Sequence, residues 1–272
     1  MAVNNNRDRN NNTRQRTRTV FVPVGGGGSN IKTEELSVSE NGTYEAGEDK
    51  AYSKVTVKVT EPLGTVKIAN GIKLSFSSFI TVPEWMDFEG VTDMELMFEN
   101  CSSLTTIPKL DTSQVTNMKA MFKNCSSLTT IPKLDTSQVT NMEDMFGNCS
   151  SLTTIPKLDT SQVTNMDYMF FSCFNLQSIP ELDTSQVTTM SRMFCDCFSI
   201  TDLGGFIGLK CNLELEPFLG SYPLTHDSLM NVINKAADVT ASPATLTLGS
   251  TNLAKLSDEE KGIATTKGWT LA

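Results

Sequence analysis

Apolar positions recur through the middle of the chain with a fixed period of 24 residues. One column holds Cys101, Cys125, Cys149, Cys173 and Cys197; another holds Leu104, Leu128, Leu152, Leu176 and Ile200; a third holds Ile107, Ile131, Ile155, Ile179 and Leu203. Met97, Met121, Met145, Met169 and Met193 each precede a phenylalanine, at 98, 122, 146, 170 and 194. Polar positions keep the same step: LDTSQVTNM begins at Leu110, Leu134 and Leu158, and LDTSQVTTM at Leu182. Residues 101–124 and 125–148 differ only at 119, 120 and 123, leaving 21 of 24 positions alike. Such a period predicts a solenoid, in which each coil buries its apolar face against its neighbours.

Within one coil, LTTI is short, β-branched and followed by proline, which predicts a brief strand. The segment VTNMxxMFxNC spaces Val, Met, Met and Phe like one or two helical turns. Asp111, Asp135, Asp159 and Asp183 fall in the connection, where Asp-Thr-Ser side chains can hold orphan backbone donors. Outside the repeats, Asn41-Gly42 and Gly47-Glu48-Asp49 punctuate two β-type runs. A hairpin from Val66-Lys67-Ile68 through Asn70-Gly71 to Leu74-Phe76 is expected to cover the open edge of the solenoid. Towards the end, Thr225 opens a helix to about Ala237 with Leu229, Val232, Ile233 and Ala236 on one face. A strand at 245–248 follows, then a Ser257/Glu260 capping box for a helix ending at Gly268, then Trp269-Thr270-Leu271. The expected fold class is an α/β repeat. Its order is a docking arm with glycine hinge (1–29), a small β module (30–62), a cap hairpin with a degenerate coil (63–90), the repeats (91–208) and an α/β cap (209–272).

The repeat, with its motif TSxVTxMxxMFxxCxSL, resembles the BspA-like leucine-rich repeats from about Val91 to Leu203. That resemblance implies a non-enzymatic surface scaffold contacting host cells, matrix or other partners, and no catalytic residue to transfer. The phrase NGTYEAGEDKAYSKVTVKV resembles a small β module frequent in structural proteins of phages from gut Firmicutes, and the C-terminal unit resembles the closing unit of phage-borne BspA-like proteins. Together these imply a virion structural, decoration or fibre protein adhering to a host surface or glycan, present in multiple copies per particle. The alternative is a bacterial BspA-like cell-surface adhesin or interaction protein.

Charge and candidate chemistry narrow this further. A formal net charge of −9 argues against nucleic acid as the general partner. The basic share is concentrated at the start, where Arg7, Arg9, Arg14, Arg16 and Arg18 face Asp8 alone, a balance of +4 over residues 1–19. Arg14, Arg16 and Arg18 followed by the alternating Val20, Phe21, Val22 and the run Gly25 to Gly28 are expected to dock on other virion proteins, either by strand addition or, in the plainer reading, as the protein's own first strand. The opening MAVNNNRDRNNNTRQ has no apolar core of a secretory signal, and no stretch is apolar enough for a membrane span. Five of the seven cysteines lie on the 24-residue ladder and are read as buried thiols; Cys195-Asp196-Cys197 is too tight for a zinc pair. No phosphate cradle or dinucleotide fingerprint is present, the aspartate column is read as turn capping rather than calcium ligation, and no cofactor or metal is expected.

Binding surface is what remains. Thr105, Thr129 and Thr153 recur on or beside the strands with Lys109, Lys133 and Lys157 just beyond, a row suited to a polymer with hydroxyl or anionic groups. The rival surface is the ridge of positions that vary between coils, where Tyr168 and Phe171 would meet a protein partner.

Overall fold

The computed structural model describes residues 81–82, 86–215 and 224–272, and, as backbone only, the strands Thr17–Val20, Glu34–Ser37, Val55–Thr56, Val66–Lys67 and Leu74–Ser75. Arg14, Arg16, Phe21, Val22, the glycine run and the Asn41-Gly42 turn lie outside the described residues. Arg18 and Val20 belong to Thr17–Val20, which pairs antiparallel with Glu34–Ser37 of the same chain. Among the described residues, Val66–Lys67 and Leu74–Ser75 do not pair with each other as the expected hairpin across Asn70-Gly71 would require. Val66–Lys67 instead pairs parallel with Met86–Asp87, and Leu74–Ser75 parallel with Val55–Thr56. These partners are 19 and 20 residues apart and, like the coils of the repeats, they pair in parallel.

In the repeats, neighbouring coils are joined by parallel bridges between residues 24 apart: Asp93 to Asn117, Asn141, Asn165 and Thr189 in turn. The segment that follows each bridge is not helical, contrary to the spacing of its apolar residues. In the first coil Met97, Glu99 and Cys101 donate back to the carbonyls of Met94, Leu96 and Phe98, making overlapping turns. The amides between them, Met94, Leu96, Phe98 and Asn100, point the other way and donate to Asn117, Lys119, Met121 and Lys123 of the next coil at 2.8–3.0 Å. A helix would direct all of these donors along its own axis; here half of them hold the next coil. The geometry needs left-handed residues, supplied by Asn100, Asn124 and Asn148, and also by Leu96, Ala120, Asp144, Tyr168 and Arg192 at φ 51–58°. For a residue other than glycine this conformation costs about 1–2 kcal/mol; the inter-coil bond from each of the first four amides offsets it.

The LTTI side is thinner than a continuous sheet. Thr129 and Thr153 donate from their amides to Thr105 and Thr129, Thr154 bridges Ser178, and only Ser178–Ile179 with Asp202–Leu203 forms a paired strand. Pro108, Pro132, Pro156 and Pro180 follow at once and, lacking an N–H, interrupt the pairing, which in the last coil resumes between Leu182–Asp183 and Phe206–Ile207. A third line of contacts runs through the connections, where the Asp159 amide donates to the Thr136 hydroxyl at 2.8 Å and the hydroxyls of Thr160 and Thr184 donate to the carbonyls of Asp183 and Ile207.

Inside, like packs on like. Phe98, Phe122, Phe146, Phe170 and Phe194 are fully buried and stack with centroids 5.4–5.8 Å apart and planes within 5–12°. Phe88 and Phe206 end the ladder as rings tilted by 58° and 54°. The ladder cysteines are buried, and the Sγ of Cys125, Cys149, Cys173 and Cys197 each donates to the phenylalanine carbonyl 27 residues earlier at 3.0–3.2 Å. Burial pushes the Cys149 and Cys197 thiols well above their usual range and Cys173 to about 12. Cys125 is raised first by its hydrogen bond with Cys101 and then by burial.

The C-terminal unit closes the stack much as expected. Helix α1 (His226–Lys235) is capped by Thr225 and buries Leu229, Val232 and Ile233. Helix α2 (Ser250–Leu253) was not anticipated; helix α3 (Asp258–Thr266) carries the Ser257/Glu260 capping box. Leu213–Glu214, Ala244–Thr247 and Trp269–Leu271 form a parallel sheet in that order. Helix α1 seats on the last coil through Gly204-Gly205, where a Cβ on Gly205 (φ +96°) would lie 2.8 Å from the Asn231 carbonyl oxygen. Lys235 Nζ then reaches the Gly204 carbonyl at 2.6 Å.

Phe146→Ala removes a ring packed against two others and is expected to lower unfolding free energy by about 3–5 kcal/mol in denaturant titration. Thr130→Ala, on the exposed side of the same coils, should stay within about 0.5 kcal/mol of the parent. Native thiol labelling should miss Cys125 and Cys149 until the chain unfolds.

Candidate binding surface

Each connection runs Lys-Leu-Asp-Thr-Ser, and its alternation sets which side chains face outward. Leu110, Leu134 and Leu158 are buried, as are Thr112, Thr136 and Thr160, so lysine and aspartate stand on either side of an apolar and hydroxyl floor. Stacked over three coils, this makes an open groove of about 730 Å³ lined by Lys109, Lys133 and Lys157 and by Asp111, Asp135 and Asp159. It continues past Glu181 and Asp183 to Ile207, an exposed apolar residue at the aspartate position of the last coil.

The aspartates are held by their own turns. Oδ1 of Asp111, Asp135 and Asp159 accepts from the amide of the serine two residues on at 3.1 Å, and from its hydroxyl at 2.7–2.8 Å. These bonds lower the three carboxyl pKa values: the amide of Ser113 leads for Asp111, and the hydroxyls of Ser137 and Ser161 lead for Asp135 and Asp159. The turn-capping role expected of this column is therefore present. Among the described residues no ion pair joins the lysine row to the aspartate row. Lys157 comes within 3.9 Å of Glu181, which is bound more closely by Lys235 at 2.7 Å. The groove thus faces solvent with both signs of charge, where the sequence pointed to ammonium groups and hydroxyls alone. One floor hydroxyl is also distinct: Thr112 is 2% exposed and its Oγ1 has no hydrogen-bond partner.

Thr105, Thr129 and Thr153 do not line the groove. Thr105 and Thr153 are half-buried, and the Thr129 hydroxyl donates to the Thr105 carbonyl at 3.3 Å. Thr106, Thr130 and Thr154, the second of each pair, are exposed, and so is Thr129. The intervening Ile-Pro step separates them from the lysines, because the isoleucine turns into the core before the chain emerges at lysine.

The variable ridge is tied up between coils. Lys119 pairs with Glu143 at 2.9 Å, Glu143 also accepts from Asn165, Glu95 accepts from Asn117, and Lys123 pairs with Asp144. The hydrogen bond with Glu143 raises the Lys119 pKa. Asp167 accepts from the Thr189 hydroxyl at 2.5 Å and the Ser191 amide at 2.6 Å. A Cβ on Gly147 would lie 1.8 Å from Asp144 Oδ1, so a larger residue there would require the Asp144 side chain to move. Much of the variation between coils is thus complementary charge along the stack. Tyr168 and Phe171 are half-buried and pack edge to face with centroids 5.8 Å apart.

Sequence reasoning missed Phe174 and Phe198. They are 44% and 45% exposed and stack with planes 5° apart at 5.9 Å. The signal was available, since they stand in the column that holds Ser102, Ser126 and Ser150 in the earlier coils. Among the described residues no group of three or more His, Cys, Asp or Glu could hold a metal ion, and His226 is engaged with Glu260 at 2.8 Å. No helix among them is long and apolar enough to cross a membrane.

Residues 74–170 and 153–204 match the family described as "Mycoplasma protein of unknown function, DUF285". The chain is similar to the T. pallidum leucine-rich repeat protein, with 20% identity and a TM-score of 0.52 over 76% of this chain and 90% of that one. Its likeness to a leucine-rich cell surface protein of Faecalibacterium prausnitzii is slighter: 16% identity and a TM-score of 0.28 over 68% of this chain and 52% of that one. No curated protein matches the sequence. The first likeness shows the fold, a leucine-rich-repeat solenoid.

Lys119→Glu places a third carboxylate between Glu95 and Glu143 and should destabilise; adding Glu143→Lys should recover part of the loss. A double-mutant cycle on these partly exposed groups is expected to give about 0.2–1 kcal/mol of coupling. The groove carboxyls have lowered folded pKa values, so their turn bonds are fully present above the unfolded value of 3.8 and fade as pH falls through the folded value. Carboxyl-detected NMR titration should place all three midpoints below that of free aspartate.

Proposed function

We propose that the chain is a non-enzymatic interaction protein of the bacterial-surface, BspA-like type, holding its partner in the groove between the lysine and aspartate rows. The observation that carries this is an open groove whose two charged walls do not pair with each other, built on a rigid stack. The serine turns occupy only Oδ1 of each aspartate, so a ligand's polar groups can bond to the remaining carboxylate oxygens and to the ammonium groups. The surface role rests on the resemblance of the TSxVTxMxxMFxxCxSL repeats, and the solenoid likeness agrees with a scaffold for binding. In this reading residues 1–29 anchor the protein, through Arg14, Arg16, Arg18, Val20, Phe21 and Val22, and several anchored copies would add avidity to individually weak contacts. Display on a virion rests on the phage-like wording around Asn41 to Val59 and on the C-terminal unit; neither the groove nor the comparisons add to it, so the bacterial surface is taken first.

The test is binding of the labelled full chain to bacterial and epithelial cells. Lys109→Gln, Lys133→Gln and Lys157→Gln together should weaken binding roughly tenfold, equivalent to about 1.4 kcal/mol. Tyr168→Ala with Phe171→Ala should leave it nearly unchanged. Loss with the aromatic variant and none with the lysine variant would move the site to the ridge and refute the groove.

A further inference from the structure

Resting on that reading of the groove, we infer that its ligand is an unbranched, uncharged polysaccharide lying along the solenoid axis, with one sugar residue per coil. Charge is the first reason. Three ammonium groups and three carboxylates line the groove, so a polyanion attracted by the lysines is repelled by Asp111, Asp135 and Asp159, and a polycation meets the opposite conflict. A sugar hydroxyl suits both groups, because it donates to a carboxylate and accepts from an ammonium. Each aspartate keeps Oδ1 on its own serine and so offers Oδ2 outward in a fixed orientation.

Spacing is the second reason. Parallel bridges between coils set the backbone repeat at about 4.8 Å, and the stacked rings lie 5.4–5.8 Å apart. An extended peptide rises about 3.3 Å per residue, so neither one residue nor two keeps step with successive coils. A linear polysaccharide of pyranose units advances by close to one coil per sugar and can repeat the same contacts down the groove.

The third reason is the floor. The Thr136 hydroxyl accepts from the next coil, and those of Thr160 and Thr184 donate to it, yet Thr112 Oγ1, buried in the groove at its first coil, is unsatisfied. A buried orphan hydroxyl is destabilising unless something completes it; because Oγ1 is closed off from solvent, a ligand hydroxyl completes it only where binding opens the floor at Thr112.

The experiment uses the full chain and calorimetric titration with cellohexaose, mannohexaose and laminarihexaose, beside hexagalacturonate and an uncharged Ser/Gly-rich peptide of similar length. At least one neutral hexasaccharide should bind, more tightly than its trisaccharide, and with little change between low and high salt. Asp111→Asn, Asp135→Asn and Asp159→Asn together keep side chains that can still cap the turns, and should weaken neutral binding several-fold while improving hexagalacturonate binding. Thr112→Val should fold at least as stably as the parent and bind the neutral sugar more weakly. If cell binding depends on the groove lysines but only hexagalacturonate or the peptide binds, or no neutral hexasaccharide does, this inference fails and the groove reading stands. If the lysine variant leaves cell binding intact, the groove reading itself fails.

Discussion

The structure depends on how backbone amides are divided within each turn segment. Alternate N–H groups close turns inside a coil, and those between them bond to the coil that follows, as from Leu96 to Lys119 and from Ala120 to Glu143. Repeated from coil to coil, this bonding holds residues 24 apart in register and leaves little freedom for the side chains they carry. Its requirement is a left-handed residue at two places per coil, and even Tyr168 and Arg192 adopt that conformation. Buried backbone groups must be satisfied, and here the neighbouring coil satisfies them.

Identical side chains then meet themselves. Phenylalanine rings can stack nearly parallel only because each is presented by the same backbone one repeat later, and the cysteines fit a column where a small, weakly polar group can bond to a carbonyl. The ladder ends where this translation ends, at the tilted rings of Phe88 and Phe206, and α1 covers the last coil through the close approach allowed by Gly205.

Translation acts on the surface as well. A lysine and an aspartate flanking one buried leucine become two rows with a groove between them, although in a single coil they are an unremarkable polar turn. Along the ridge, the same translation would bring like charges together; the first three coils alternate Glu95, Lys119 and Glu143, and Asp167 in the fourth bonds onward to Thr189 and Ser191. Variation there maintains the stack, whereas the change from serine to Phe174 and Phe198 adds exposed aromatic surface with no comparable inter-coil bond.

The 24-residue period, the core columns and the C-terminal capping box were legible in the sequence, because each is a one-dimensional pattern: which positions are apolar, and which residue types recur at a fixed step. The VTNMxxMFxNC segment was misread because helical spacing and stacked turns bury the same Val, Met and Phe positions; they differ in where the amides point, and that depends on a neighbouring coil. The hairpin expected at Asn70-Gly71 gave way to parallel pairing for a related reason, since strands such as Val66–Lys67 are too short to choose partners without the stack. Lys109, Lys133 and Lys157 were recognisable as a row, but their opposition to Asp111, Asp135 and Asp159, and the separation of Thr105, Thr129 and Thr153 from them, emerged only when the chain turned at each Ile-Pro step and laid one coil on the next. Sequence determined what repeats; tertiary stacking decided what the repeated groups face.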